Sequence, residues 1–197
     1  MARTHGNRQK HESANPLQAR LIDRFHRHVV DLVRRVEPVR VLDVGCGEGY
    51  VLAALQAAGV GARLAGLDRS SSAIADARRR LGPEVDLRIG DVRDLGPDPE
   101  PPDLVLMLEV LEHLEDPGAM LDALGRVTTG AVLVSVPWEP WFRAANVLRL
   151  KNLRRLGNDP EHVQQWGHRA FVDLVGEHLQ VRDARTSFPW TIVLATP

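Results

Sequence analysis

The sequence predicts an α/β protein: a parallel sheet with helices on both faces, closed by an antiparallel hairpin. Three observations carry this. Short β-rich runs alternate with helical segments through the first two thirds of the chain. The first of these runs ends in a glycine-rich loop that opens a helix, Gly45-Cys46-Gly47-Glu48-Gly49. The last two β-rich runs are joined too tightly for a parallel crossover.

The elements follow in order. Residues 1–14 are polar and aperiodic and read as a flexible tail. Leu17, Leu21, Phe25, Val29, Leu32 and Val36 recur at helical spacing. This predicts a helix over 16–36, with Asn15 as its cap and Pro38 as its stop. Strands are expected at 39–44, 63–67, 85–89, 104–108 and 131–136. The helices between them fall at 50–58, from Ser70 or Ser71 to about Leu81, and near 117–126. The stretch 94–102 carries four prolines and excludes a regular element. After a helix near 168–178, the runs 180–187 and 190–195, separated by Pro189, make the hairpin. Residues 15–197 therefore read as one domain. An insertion at about 138–167 interrupts it over the C-terminal edge of the sheet, where such folds bind ligands.

Composition narrows the class. A chain of 197 residues has the length of one domain. The net charge of −1 gives no global attraction for nucleic acid, so a nucleic-acid partner is not expected. Cys46 is the sole cysteine, which precludes an internal disulfide and fits a reducing compartment. No apolar run reaches membrane-spanning length, and the basic N-terminus lacks the apolar core of a signal peptide. A cytoplasmic protein without stable membrane insertion is expected.

The glycine loop is the most informative stretch. Glycines let a backbone turn sharply against a ligand, and the following helix points its N-terminus there. The pattern is D-x-G-x-G-x-G, because Tyr50 stands where a dinucleotide fingerprint needs its last glycine. Asp43, just before the loop, would repel a pyrophosphate but suits an ammonium or sulfonium group. Asp68, ending the second strand, can accept from both hydroxyls of a ribose. Asp91, after the third, can accept from an adenine amino group. The loop also serves other nucleotides, and each acid alone could be a strand-end cap. Cys46 reads as a small packing residue beside the ligand rather than a nucleophile.

Together, DVGCGEG, GLD and GDV at successive strand ends resemble the class I S-adenosylmethionine (SAM)-dependent methyltransferases over roughly 38–136. The resemblance implies a Rossmann-like seven-stranded sheet of order 3-2-1-4-5-7-6 with strand 7 antiparallel, and SAM as cofactor. It implies that Gly45, Gly47 and Gly49 line the methionine part of SAM, that Asp68 holds the ribose, and that Asp91 sits by the adenine. Asp43, Cys46, Arg69, Val92 and Glu109 complete the expected cofactor set. It leaves oligomeric state open, with a homodimer common among small members.

The fourth strand runs into Glu109-Val110-Leu111-Glu112-His113-Leu114. If a helical turn begins near Glu109, Glu109, Glu112 and His113 share a face. Such O and N donors suit Mg²⁺, Mn²⁺, Zn²⁺ or Fe²⁺. Asp159-Pro160-Glu161-His162 in the insertion could add a ligand. E-V-L-E-H followed by a D/E-H pair resembles the small-RNA 3′-terminal 2′-O-methyltransferases, which implies a metal held by Glu109, Glu112, His113 and His162. A similar E-x-x-E-H occurs in ubiquinone-type O-methyltransferases. The exit Val136-Pro137-Trp138-Glu139-Pro140-Trp141 and the approach residue Asn158 depart from the RNA enzymes. A metal would acidify a bound hydroxyl. Without one, His113 serves as general base with Glu112 beside it. The bland alternative is that the motif only caps the loop.

In the insertion, Trp138, Trp141, Phe142, Val147 and Leu148 alternate with Arg143, Arg149, Lys151, Arg154 and Arg155. This reads as an amphipathic lid for an acidic or aromatic small molecule, as a weak docking surface for a membrane or carrier protein, or as a helical cover with solvated cations. His26, His28 and His178 read as surface or packing residues. Three functions stay in view: O-methylation of a small-molecule hydroxyl or carboxyl, RNA ribose 2′-O-methylation, and SAM binding without catalysis.

Overall fold

A computed structural model describes residues 16–96, 99–138 and 164–197. The long helix α1 (Pro16–Val36) leads into β1 (Arg40–Val44). Then follow α2 (Tyr50–Ala57), β2 (Arg63–Asp68), α3 (Ser71–Leu81), β3 (Asp86–Ile89), β4 (Leu104–Leu108), α4 (Pro117–Val127) and β5 (Ala131–Pro137). After the insertion come α5 (His168–His178), β6 (Gln180–Ser187) and β7 (Trp190–Thr196). The seven strands form one sheet of order β3-β2-β1-β4-β5-β7-β6. β1 to β5 run parallel, and β7 pairs antiparallel with both β5 and β6.

Alternation along the strands divides the core into two layers. Leu104, Leu106, Leu133, Ile192 and Leu194 face one way and pack with Phe25, Val29 and Leu32 of α1, Leu52 and Leu55 of α2, and Ile74 of α3. Val105, Met107, Val132, Val134 and Val193 face the other way, against Leu121 and Leu124 of α4 and Phe171 and Val175 of α5. The central strands β4 and β5 are buried throughout, which explains their continuous apolar runs. The edges are charged instead: β3 carries Asp86 and Arg88, and β6 carries Arg182, Asp183 and Arg185, with an irregular register near Val181.

Local signals set the helix starts. The Ser70 hydroxyl accepts from Ala73 N–H at 3.2 Å to cap α3, and Asp116 accepts from Ala119 N–H at 2.9 Å to cap α4, with Pro117 first in the helix. At the opposite end of the sheet, Asp103 accepts from the N–H groups of Val39 and Arg40, both at 2.8 Å, and fixes the entry to β1.

The elements match the sequence expectations within a residue or two. The tail at 1–14, the cap Asn15 and most of the insertion lie outside the described residues. The roots of the insertion are described. Trp138 forms an isolated bridge with Trp166 and donates its N–H to the Pro189 carbonyl at 2.7 Å, and Gln164 N–H donates to the Glu112 carbonyl at 3.1 Å. The insertion thus leaves and re-enters beside the turn after β4 and the β6–β7 corner.

One local expectation is corrected. No helical turn begins at Glu109. Its φ is +59°, a left-handed conformation, and Val110 has φ −126°. The 3₁₀ turn that follows covers Leu111–His113 only. Glu109, Glu112 and His113 are therefore not on one helical face.

Candidate functional site

The loop from β1 to α2 turns through three glycines at positive φ: Gly45 at +81°, Gly47 at +54° and Gly49 at +76°. Two of these positions also exclude a side chain by contact. A Cβ on Gly45 would lie 2.4 Å from Val110 Cγ2, and one on Gly49 would lie 2.8 Å from Leu81 Cδ1. The loop is tied to the end of β2. Gly45 and Cys46 N–H both donate to the Leu67 carbonyl, at 2.7 and 3.0 Å. Gly47 N–H donates to Asp68 Oδ2 at 2.9 Å, while Asp68 Oδ1 accepts from Ser70 N–H at 2.8 Å. One carboxylate therefore fixes both the glycine loop and the start of α3, and each oxygen retains a lone pair for another donor. At the start of α2, Arg80 donates to the Glu48 carbonyl and lies 3.7 Å from the centroid of the Tyr50 ring.

Beneath the loop lies Asp43, only 3% exposed. Burial, and then the neighbouring charge of Asp68, pushes its carboxyl up from 3.8 to about 7. No described side chain forms an ion pair with it. The Cys46 thiol is pushed up by burial and by Asp43, so it stays protonated and serves as packing. Asp91, two residues beyond β3, is in a different state. Arg93 holds it in a bidentate pair, at 2.8 and 2.6 Å, which keeps its carboxyl well below the usual range. Arg69 is exposed nearby, and Val92 packs at the edge of the second core layer.

A cavity opens between this loop and α1. Its lining residues include Asp43, Gly45, Cys46, Glu48, Tyr50 and Val51 from the loop and α2, Leu108 and Glu109 from the end of β4, Trp190 from β7, and Ile22, Phe25 and His26 from α1. Trp190 donates its indole N–H to Glu109 Oε2 at 2.7 Å and packs on Phe25, ring centroids 5.0 Å apart. That bond holds the Glu109 carboxylate at the wall. His26, on the opposite wall, has its pKa lowered by burial, opposed by the charge of Asp23.

Of the sequence candidates, the cavity unites Asp43, Gly45, Cys46 and Glu109. Gly47, Gly49 and Asp68 shape the loop above it without lining it, and Arg69, Asp91 and Val92 lie at the end of β2 and beyond β3. Glu112 and His113 are not in its lining either. Glu112 is 2% exposed, whereas His113 is exposed. Among the described residues, no group of three or more His, Cys, Asp and Glu side chains is placed to hold a metal ion, and His162 lies outside them.

Sequence reasoning missed the α1 wall and Trp190. Helical periodicity marked Phe25 as core but left His26 as a surface or packing residue, and nothing local ties residue 190 to residue 109. The available signal was a Trp at the start of a buried strand, since a buried indole N–H needs an acceptor.

Residues 41–130 match a family described as a methyltransferase domain. A trans-aconitate 2-methyltransferase of Methylobacterium nodulans is 39% identical over 120 residues, 58% of this chain and 46% of that protein. A ubiquinone biosynthesis O-methyltransferase of Thiobacillus denitrificans is 39% identical over 92 residues, 45% of this chain and 39% of that protein. The chain thus spans less than half the length of these relatives. The magnesium protoporphyrin IX methyltransferase of Synechocystis PCC 6803, solved with bound S-adenosylhomocysteine (SAH), superposes with a TM-score of 0.68 at 21% identity, covering 95% of this chain and 91% of that one. The methyltransferase domain of bacterial CtHen1 superposes equally well, with a TM-score of 0.68 at 23% identity over 90% of this chain and 100% of that one. At these identities the superpositions speak for the fold.

Proposed function

From a chain that has the class I methyltransferase fold and matches the methyltransferase-domain family over 41–130, we propose a SAM-dependent methyltransferase that methylates a hydroxyl or carboxyl oxygen of a small molecule. The observation that carries it is the buried, ion-pair-free Asp43 under a glycine loop whose geometry Asp68 fixes. A buried carboxyl without a counter-charge calls for a cationic ligand, and SAM brings an ammonium and a sulfonium. The O-methyltransferase names of the ubiquinone-type relatives support oxygen as the acceptor atom.

Bound SAM supplies an electrophilic methyl group. Around it, Gly45, Gly47 and Gly49 let the backbone approach the methionine portion. Asp43 and Glu109 offset its positive charge, and Asp68 accepts from the ribose hydroxyls with its spare lone pairs. Asp91, although paired with Arg93, keeps acceptor capacity for the adenine amino group, with Arg69 and Val92 flanking. Cys46 fills the floor. Apolar contacts from Ile22, Phe25, Val51, Leu108 and Trp190 exclude water and hold the acceptor oxygen in line with the methyl–sulfur bond. His113 with Glu112 remains the proposed proton acceptor, brought to bear from the turn after β4.

Calorimetry with SAH tests the cofactor half: one-to-one binding that is lost in Asp68→Ala is expected. Transfer of radiolabelled methyl from SAM into a small-metabolite pool, and not into an RNA pool, tests the acceptor half. Labelled RNA would turn the assignment to ribose methylation. SAH binding without any labelled product would leave a SAM-binding protein.

A further inference from the structure

The face of α1 turned to the cavity beside the glycine loop carries a histidine that holding the donor does not use. Ile22, Phe25 and His26, at i, i+3 and i+4, share that face and line the cavity together. Of the other titratable groups in the lining, Asp43 and Glu109 offset the donor's positive charge in the reading above. Glu48 belongs to the glycine loop, and Tyr50 lies under the Arg80 guanidinium. Among the described residues of the lining, His26 is the one titratable group on the α1 side.

Its surroundings suit it to take up a proton. Burial lowers its pKa, so the imidazole is neutral near neutral pH and keeps one basic nitrogen. Asp23, three residues earlier on α1, is the charge that favours the protonated ring once it forms. The ring is half-buried and borders the outer face of α1 beside Arg20, Arg24 and Arg27, so a proton taken inside can pass to water.

The same lining selects what gives up the proton. It carries Asp43, Glu48 and Glu109 and, among the described residues, no Lys or Arg. An anionic carboxylate acceptor is disfavoured there, and it has no proton to lose. A neutral hydroxyl meets neither objection. Phe25 and Trp190, with ring centroids 5.0 Å apart, offer apolar ring surface to a planar carrier of that hydroxyl.

We propose that His26 is the proton acceptor of methyl transfer, taking that role from His113, and that the methyl acceptor is a neutral hydroxyl on an aromatic ring. The inference rests on the methyltransferase reading above and narrows its acceptor group. His113 is exposed and outside the cavity lining, whereas His26 is within it. As the hydroxyl oxygen bonds to the methyl carbon, the methyl–sulfur bond breaks and its electron pair goes to sulfur. The hydroxyl proton moves to the basic imidazole nitrogen of His26, which later releases it to water. The products are a methyl ether, the neutral thioether SAH and one proton.

The first arm of the test needs no turnover. Phenol, its methyl ether anisole, and benzoate are titrated by NMR into the full chain saturated with SAH. Phenol is expected to bind about tenfold more tightly than anisole, as one hydrogen bond implies, and more tightly than benzoate. His26→Leu should erase the preference over anisole, and His26→Gln, which keeps an acceptor atom, should retain it, with SAH still bound by all three. The second arm follows radiolabelled methyl transfer to phenol at saturating SAM. His26→Gln should lose about a hundredfold in kcat with little change in KM, because it binds the hydroxyl but cannot take its proton. Absence of the phenol preference in wild type, its survival in His26→Leu, or wild-type turnover by His26→Gln would overturn the role of His26. Loss of the preference in His113→Leu instead would return the role to His113. Tighter binding of benzoate than of phenol, or phenol that binds wild type without being methylated, would overturn the acceptor class. Failure to bind SAH at all would sink the methyltransferase reading itself, which keeps the two failures apart. Thermal melting confirms that each variant is folded.

Discussion

Lowering the pH from 7 to 5 should weaken SAH binding about fifty-fold, and Asp43 is the reason. Its carboxyl is raised to about 7 by burial and by Asp68. The ammonium that SAH shares with SAM pairs with the ionised form, so binding must release a proton wherever the free protein holds one. If the bound state restores the ordinary value near 3.8, the free fraction able to bind falls from about one half at pH 7 to about one hundredth at pH 5. The difference is about 2.3 kcal/mol. From pH 7 to 8 the gain is at most about twofold. The same shift governs the stability of the free protein, with the opposite sense. The folded pKa lies above the unfolded one, so the native state binds more protons between about 3.8 and 7. The stabilisation is complete below pH 3.8 and is lost as pH rises through about 7. It amounts to at most about 4 kcal/mol for this shift. Asp43→Asn should therefore flatten both curves: weak, pH-independent SAH binding, and less loss of stability between pH 5 and 8. Calorimetry in buffers of different ionisation enthalpy reads the proton release directly. His26→Gln controls for the histidine of the same cavity. Wild-type affinity that is flat from pH 5 to 7, or a slope that survives in Asp43→Asn, would refute the reasoning.

Three further outcomes can be checked. Gly45→Ala should cost about 2–4 kcal/mol in urea unfolding, because a Cβ there lies 2.4 Å from Val110 on a backbone at φ +81°; SAH binding should vanish with it. Trp190→Phe preserves the packing on Phe25 but removes the donor to Glu109, so SAH affinity should fall with a loss of about 1–3 kcal/mol while the fold persists by circular dichroism. Asp116→Ala removes the cap of α4, far from the cavity, and should lower stability by about 1 kcal/mol with SAH affinity unchanged.

The sheet was legible because its signals are local. Continuous apolar runs mark β4 and β5 as central, and the alternation of strand and helix fixes parallel pairing. Ser70 announces its helix one residue ahead. The tight link between β6 and β7 requires the antiparallel end. The turn of the glycine loop was legible for the same reason, since its glycines and the acids of β1 and β2 occupy strand ends. What the sequence could not show is long-range or conformational. Trp190 meets Glu109 only because β7 inserts between β5 and β6, and the tertiary pairing decides that neighbour. His26 lies at the boundary of the α1 apolar stripe, where periodicity alone cannot separate a cavity wall from a surface. The face shared by Glu109, Glu112 and His113 failed because a helical reading presumes helical φ at its first residue.

That failure points to a cost kept at the site. A glutamate at φ +59° is disfavoured, since its Cβ crowds its own backbone in the left-handed region by about 1–2 kcal/mol. Glycine at this position would remove the strain but also the carboxylate that Trp190 holds. Non-glycine residues in this region tend to persist where surrounding contacts over-determine them, often at ligand sites. Comparing Glu109→Gly with Glu109→Ala separates the two contributions. Both lose the carboxylate and the bond to Trp190, so both should lose SAH affinity equally. Only glycine relieves the backbone. Allowing for its greater freedom when unfolded, Glu109→Gly should be about 1 kcal/mol more stable than Glu109→Ala in urea unfolding. Equal stability of the two variants would show that the backbone at residue 109 is unstrained. Unequal SAH affinity would show that the left-handed turn itself, rather than the carboxylate it presents, shapes the donor cavity.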